Sequence, residues 1–81
     1  MMLMERRQTR RQEPITPLWR LHRQGHEASC DMVLGRGGFE ARFLLDGRFL
    51  LSHTFSLPSE AIEWAVQKQA RYLREGWTPN K

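Results

Sequence analysis

Residues 39–55 decide the fold of this chain, and they read FEARFLLDGRFLLSHTF. Apolar residues alternate with other residues on both sides of the Asp-Gly pair at 46–47, as in two half-buried strands joined by a turn. A two-residue turn would pair Leu45 with Arg48 and mix charged with apolar groups on each face. A three-residue loop with a bulge pairs Phe43 with Phe49 instead, and is therefore expected. The resulting apolar face contains Phe39, Ala41, Phe43, Phe49, Leu51, His53 and Phe55.

Two further strands precede this hairpin. From residue 18 the chain alternates between apolar and polar residues as far as Gly25-His26, a pair that fits a two-residue turn with glycine first. This turn predicts that Leu21 lies opposite Cys30. It also sets Arg20 opposite Asp31, which is a favourable cross-strand charge pair.

A glycine-rich segment, residues 35–38, connects the second strand to the third. A four-residue connection there brings Cys30 opposite Phe43 and Asp31 opposite Arg42. The glycines do not indicate a phosphate-binding loop, because no Lys-Ser or Lys-Thr pair follows and no helix begins there. A hairpin connection is expected.

Residues 56–77, SLPSEAIEWAVQKQARYLREGW, predict one helix. Ser56 or Ser59 suits the N-cap, Pro58 suits an early helical position, and Gly76 suits the stop. At 100° per residue one apolar stripe forms and is expected to cover the sheet. Its members are Ala61, Ile62, Ala65, Val66, Gln69, Tyr72 and Leu73.

The sequence therefore predicts an α+β domain over residues 17–77. Its fold is a four-stranded antiparallel β-meander with one C-terminal helix packed on one face, in the order ββββα. Residues 1–16 are polar and are expected to form a disordered basic arm. Residues 78–81 are expected to be a short tail.

The charge of the chain is unevenly spread. The 81 residues carry a formal charge of +4, and residues 1–16 hold four arginines against two glutamates, which accounts for half of it. The remainder is close to balanced. A chain of this length is one small domain, too short for an open nucleotide-binding fold or a barrel enzyme.

Nothing in the composition indicates a membrane or an oxidising compartment. No apolar run approaches the roughly 20 residues of a membrane span, and the first apolar run stops after four residues with the charges behind it. The single cysteine, Cys30, excludes an internal disulfide. The expected location is the cytoplasm.

Few residues point to chemistry. His22, His26 and Cys30 are spaced as metal ligands would be on a helix, but strand alternation sends His22 and Cys30 to opposite faces. His53 and Gln69 are expected to hydrogen-bond to each other or to backbone between sheet and helix. Because neither a cleft nor a nucleophile or acid near His53 is indicated, the chain is expected to be no enzyme. No metal or cofactor is expected either.

The uncovered face of the sheet is the candidate interaction surface. Four aliphatic residues among charges there fit either an ordinary solvated face or a contact surface, and a small domain gains from burying a second face. Trp64 either caps the core edge or anchors a contact. The candidate residues are Leu18, Arg20, Val33, Arg42, Leu44, Leu50 and Trp64.

The sequence leaves two functions open. The first is a non-enzymatic binding or adaptor module that acts by protein–protein contact or homodimerisation, with no small-molecule substrate and no membrane. The second is nucleic-acid binding, although the expected register turns every phenylalanine inward and leaves no stacking platform. Its phosphate contacts would be Arg6, Arg7, Arg10 and Arg11, with Arg20, Arg42 and Arg48 on the sheet.

The segment from Phe39 to Trp77 also resembles the sheet–helix part of HicB-type antitoxins. The resemblance is carried by a hairpin followed by SLPSEA, an Ala-rich helix and YLREGW, and it covers about half of the chain. The Pro-rich segment that those proteins have between their second and third strands is missing. The resemblance implies the sheet–helix packing and no functional residue.

Overall fold

The computed structural model describes residues 15–79 and has the predicted ββββα fold. A four-stranded antiparallel sheet in the order β1-β2-β3-β4 packs one face against helix α1. The expected basic arm lies outside the described residues up to position 14, but Ile15 and Thr16 already belong to the first strand. The elements are β1 (Ile15–Arg23), β2 (His26–Gly35), β3 (Gly38–Leu45), β4 (Arg48–Phe55) and α1 (Pro58–Arg74).

The first hairpin turns one residue earlier than predicted. Gln24 and Gly25 form the turn with φ values of 51° and 81°, the pattern of a type I′ turn. Leu21 therefore lies opposite Ala28, and the predicted pairing with Cys30 was wrong. Because the register differs by two positions, each side chain keeps its predicted face.

A β-bulge interrupts β1 at Leu18, between the pairs that Pro17 and Trp19 make with β2. Proline has no N–H to donate to a ladder, so strands accommodate it at edges and bulges. Pro17 rather than Arg20 lies opposite Asp31, which corrects the predicted Arg20–Asp31 pair.

The last hairpin also differs from the prediction. Asp46 and Gly47 form a two-residue turn with φ values of 53° and 79°, so the predicted three-residue loop was wrong. The extra residue lies in the strand instead, where a bulge at Leu50 brings Leu51 opposite Phe43. This bulge returns Leu51, His53 and Phe55 to the helix side. Phe49, which precedes the bulge, lies opposite Leu44 on the other face.

The β2–β3 register is as predicted, with Cys30 opposite Phe43 and Asp31 opposite Arg42. Pairing continues one step further than expected, to Gly35 and Gly38, so the connection is a tight turn. Gly38 has a φ of 129°, and a Cβ there would lie 2.3 Å from the Phe55 carbonyl oxygen. Only glycine fits this approach of β3 to β4.

The core lies between the helix and the first three strands. The Trp19 indole N–H donates a buried hydrogen bond to the Ala65 carbonyl, with an Nε1–O distance of 2.7 Å. The Trp19 ring also contacts Phe43 and Tyr72 at centroid distances of 5.8 and 6.0 Å. The buried core residues are Trp19, Leu21, Ala28, Cys30, Ala41, Phe43, Ala61 and Ala65.

Helix α1 is rotated relative to the predicted stripe. Its buried residues are Ala61 and Ala65, whereas Ile62, Val66 and Leu73 remain exposed. The small alanines let the helix backbone approach Trp19 closely enough for the hydrogen bond. The aliphatic side chains of the stripe are thereby turned to the flank of the helix.

Local contacts fix the two ends of the helix. Leu57 occupies the N-cap, not the predicted Ser56 or Ser59, and its N–H is bonded by the Glu60 carboxylate at 3.3 Å. Gly76 follows the helix with a φ of 96°, as predicted for the stop, and Trp77 folds back on Tyr72.

Replacing Trp19 with phenylalanine tests the hydrogen bond that positions the helix. We expect Trp19→Phe to lower the free energy of unfolding by about 1–2 kcal/mol more than Trp64→Phe does, because only Trp19 loses a buried hydrogen bond as well as ring volume. Urea unfolding followed by circular dichroism measures both variants. Equal losses would show that the indole N–H contributes nothing to stability.

Candidate interaction surface

Three apolar residues lie together where β3 turns into β4, two of them on the open face of the sheet. Leu44 on β3 is half-buried and lies directly opposite Phe49 on β4, which is 59% exposed. Leu50 follows in the bulge and is 50% exposed. We call Leu44, Phe49 and Leu50 the β4 patch. It contains two of the residues predicted for an interaction surface and one that the sequence analysis assigned to the core.

Phe49 is the functional candidate that sequence reasoning missed. The signal that locates it is the Asp-Gly pair at 46–47, since this pair favours a two-residue turn in which both residues have positive φ. Counting from such a turn places Phe49 opposite Leu44. The alternation of apolar and polar residues alone placed Phe49 on the apolar face with Phe43. This alternation does not reveal the bulge that follows at Leu50.

Two predicted residues offer less surface than expected. Val33 lies between Ile15 and Glu40 in the register of the sheet, yet it is only 1% exposed and has little area for a partner. Leu18 is half-buried, and its position in the β1 bulge lets it pack against the core. With Pro17 it lines a shallow open groove.

Two of the three sheet arginines that were predicted as phosphate contacts lie beside carboxylates. The Arg20 Nε lies 2.6 Å from a Glu27 carboxylate oxygen, and the Arg42 Nε donates to Glu40 at 3.1 Å. In the register, Arg42 also lies opposite Asp31. The sheet therefore presents alternating charges instead of a basic strip. The third predicted contact on the sheet, Arg48, is exposed and lies opposite Leu45. The remaining predicted phosphate contacts, Arg6, Arg7, Arg10 and Arg11, lie outside the described residues.

Trp64 is half-buried at the edge of the core, above β4. Its ring is stacked on His53 at a centroid distance of 6.0 Å and lies 6.1 Å from Phe55. The Lys68 ammonium lies 5.4 Å from the ring centroid. Beside Phe55 and Trp64 runs an open groove, whose other walls are Glu60, Glu63 and Gln67.

His53 is exposed and packs against aromatic rings, with Phe55 at 4.5 Å. The expected hydrogen bond of His53 to Gln69 or to backbone between sheet and helix was wrong, because His53 faces the helix side of the edge strand β4 but lies exposed there. His53 therefore needs no buried polar partner. It forms part of the surface that Trp64 covers on β4.

Cys30 is fully buried on the helix side of β2. Burial, with a smaller contribution from the charge of Asp31, raises the pKa of its thiol to about 12. At neutral pH this residue is a protonated thiol that packs as a small apolar group, and it lacks the thiolate needed for attack or metal binding. Within residues 15–79, no three His, Cys, Asp or Glu side chains group closely enough to hold a metal.

A hydrogen-bond network fixes the turn that carries the β4 patch. The Asp46 carboxylate bonds the His26 ring at 2.9 Å and accepts the Glu27 backbone N–H at 2.8 Å. The Asp46 N–H in turn donates to the Glu27 carbonyl at 2.7 Å. The bond from His26, and then that from Glu27, lower the pKa of Asp46. These contacts hold the last turn against the start of β2.

We expect the contribution of Asp46 to stability to depend on pH. Because its pKa is lowered in the folded chain, this contribution is complete above the ordinary value of 3.8 and disappears as pH falls through the lower folded value. Asp46→Asn should therefore destabilise the protein more at pH 6 than at pH 2, measured by urea unfolding. An equal destabilisation at both pH values would exclude a role for the charge.

Residues 15–79 contain no helix long and apolar enough to cross a membrane. No protein-family model, curated protein or solved structure matches the chain. The resemblance to HicB-type antitoxins is therefore supported only by residues 39–77 of the sequence itself.

Proposed function

We propose that this protein is a small non-enzymatic binding or adaptor module. It acts by protein–protein contact through the open face of its sheet, with the β4 patch at the centre of the contact. The observation that carries the proposal is Phe49, a phenylalanine on β4 that is 59% exposed and directly opposite Leu44. A side chain of this kind gains free energy when a partner removes it from water.

The position of the patch supports a contact role. Aromatic residues are enriched at the centres of protein interfaces, where they supply a large area at a low cost in conformational entropy. Phe49 and Leu44 belong to a paired ladder, and the Asp46 network holds the turn beside them. Two of the three patch residues therefore lie on hydrogen-bonded backbone, which requires little ordering when a partner binds.

The charges on the same face fit the rim of such a contact. Two ion pairs lie next to the apolar end of the sheet, Arg20 with Glu27 and Arg42 with Glu40. An apolar centre with a mixed polar rim is typical of protein interfaces. Phosphate binding favours unpaired basic groups instead, so this face gives nucleic-acid binding less support.

The proposal predicts that Leu44→Glu abolishes binding of a specific partner. The full chain, immobilised and exposed to extract of the native host, should retain at least one protein that the Leu44→Glu chain loses. Leu34→Glu is the matched control, because it adds the same charge at an exposed leucine of the same sheet but pairs with Phe39 on the helix face.

Quantitative mass spectrometry of the retained proteins measures this difference, and circular dichroism verifies that both variants are folded. If Leu34→Glu and Leu44→Glu lose the same proteins, or neither loses any, the open face is not the contact surface. Retention that falls steeply with added salt and is abolished by nuclease would favour the nucleic-acid alternative.

A further inference from the structure

The two edges of the sheet are not equivalent. The strand order leaves the outer sides of β1 and β4 without a neighbouring strand. On β1, His22 exchanges two backbone hydrogen bonds with Thr78, at 2.6 and 2.9 Å. Pro17 and the bulge at Leu18 interrupt the same edge further along. The β1 edge is therefore poorly suited to pair with another strand.

The β4 edge has few such protections. Its eight residues, RFLLSHTF, include no proline, lysine or acidic residue, and Arg48 is its one formal charge. In the described part of the chain, no strand or bridge pairs with its outer side. The bulge at Leu50 is its one irregularity, so residues 51–55 form an uninterrupted edge. Natural sheets rarely leave such an edge open to solvent.

We propose that this edge binds a second copy of the same chain. Residues 51–55 of the two copies pair antiparallel about a two-fold axis at His53, which joins the two sheets into one of eight strands. This inference goes beyond the face contact proposed above, because it concerns the edge of the sheet and leaves the β4 patch uncovered. It is a strand-addition interface, in which backbone hydrogen bonds supply the ladder.

The choice of a second copy follows from the edges. Pairing of β4 with β1 of another molecule would form an open chain of subunits, and the Thr78 bridge and Pro17 oppose it. Pairing of β4 with β4 uses the one uninterrupted edge twice and closes after two subunits. An antiparallel arrangement also separates the two Arg48 side chains by more than about 25 Å at ~3.4 Å per residue, well beyond the screening length.

The register at His53 gives each side chain a compatible neighbour. It brings Ser52 opposite Thr54 of the second copy on the open face, a pair of hydroxyl side chains. On the helix face it brings Leu51, which is 43% exposed, opposite Phe55 of the second copy. Phe55 lines the open groove beside Trp64, so this groove is where the incoming leucine would pack.

Charge at position 53 tests the proposal, because the axis brings the two copies of this residue face to face. Sedimentation velocity of the full chain should show a species of twice the 9.6 kDa monomer mass at micromolar concentrations. His53→Lys and His53→Glu should each weaken the dimer by at least about tenfold, because like charges then meet across the axis. An equimolar mixture of the two variants should recover dimer.

Ile15→Lys and Ile15→Glu are the matched controls, since they place the same charges on the opposite edge strand, and they should leave the dimer unchanged. Circular dichroism establishes that all variants are folded. A parent chain that is monomeric up to hundreds of micromolar overturns the proposal, as does a dimer that neither His53 variant weakens. Loss in both variants without recovery on mixing overturns the register at His53.

The test separates this proposal from the proposed function. Leu44→Glu lies on β3, away from the edge, and should leave the dimer intact while it abolishes partner binding. A monomeric parent chain that still retains a Leu44-dependent partner would remove the dimer and keep the face contact. A dimer that retains no such partner would keep the edge pairing and remove the face contact.

Discussion

The hydrogen bond from the Trp19 indole to the Ala65 carbonyl is the constraint on which the rest of the structure depends. A buried N–H without an acceptor would cost about 1–3 kcal/mol, and the helix backbone supplies the acceptor. To reach it, the helix must place alanines, not its larger aliphatic residues, over the sheet. The consequence is that Ile62, Val66 and Leu73 lie exposed on one flank, while Trp64 lies over β4 on another.

Two bulges reconcile tight turns with a continuous apolar face. Each hairpin beside an edge strand closes with a two-residue turn, and each edge strand then takes up one extra residue, at Leu18 and at Leu50. Without the second bulge, His53 and Phe55 would face away from the helix. Because that bulge comes after Phe49, this residue remains on the opposite face. The exposed phenylalanine is therefore a consequence of how the core is completed.

This explains which features the sequence could predict. Alternation and turn residues are local, so the element order and the Cys30–Phe43 register followed from them. A bulge shifts the faces by one residue without changing the local pattern, so Phe49 was assigned to the wrong face. The helix rotation depends on a long-range bond between Trp19 and Ala65, which no local periodicity contains.

The candidate interaction surface could also be predicted only in part. Leu44 and Leu50 were chosen as candidates because a four-stranded sheet covered on one side must expose the other. Val33 lies on that side but is buried, and burial depends on neighbours that a strand pattern does not specify. The difference between the edges was not visible either, since it arises where Thr78 returns to His22 after the helix.

The bulge at Leu50 also divides β4 into two parts with separate uses. The part before the bulge carries Phe49 and faces outward with Leu44, whereas residues 51–55 present a regular edge. A two-fold axis between antiparallel edge strands is perpendicular to the sheet, so the proposed dimer would carry both β4 patches on the same side. Two identical patches on one rigid sheet favour partners that offer two binding sites, because the second contact forms at a high effective concentration. Edge pairing and face binding would then reinforce each other without sharing a contact residue.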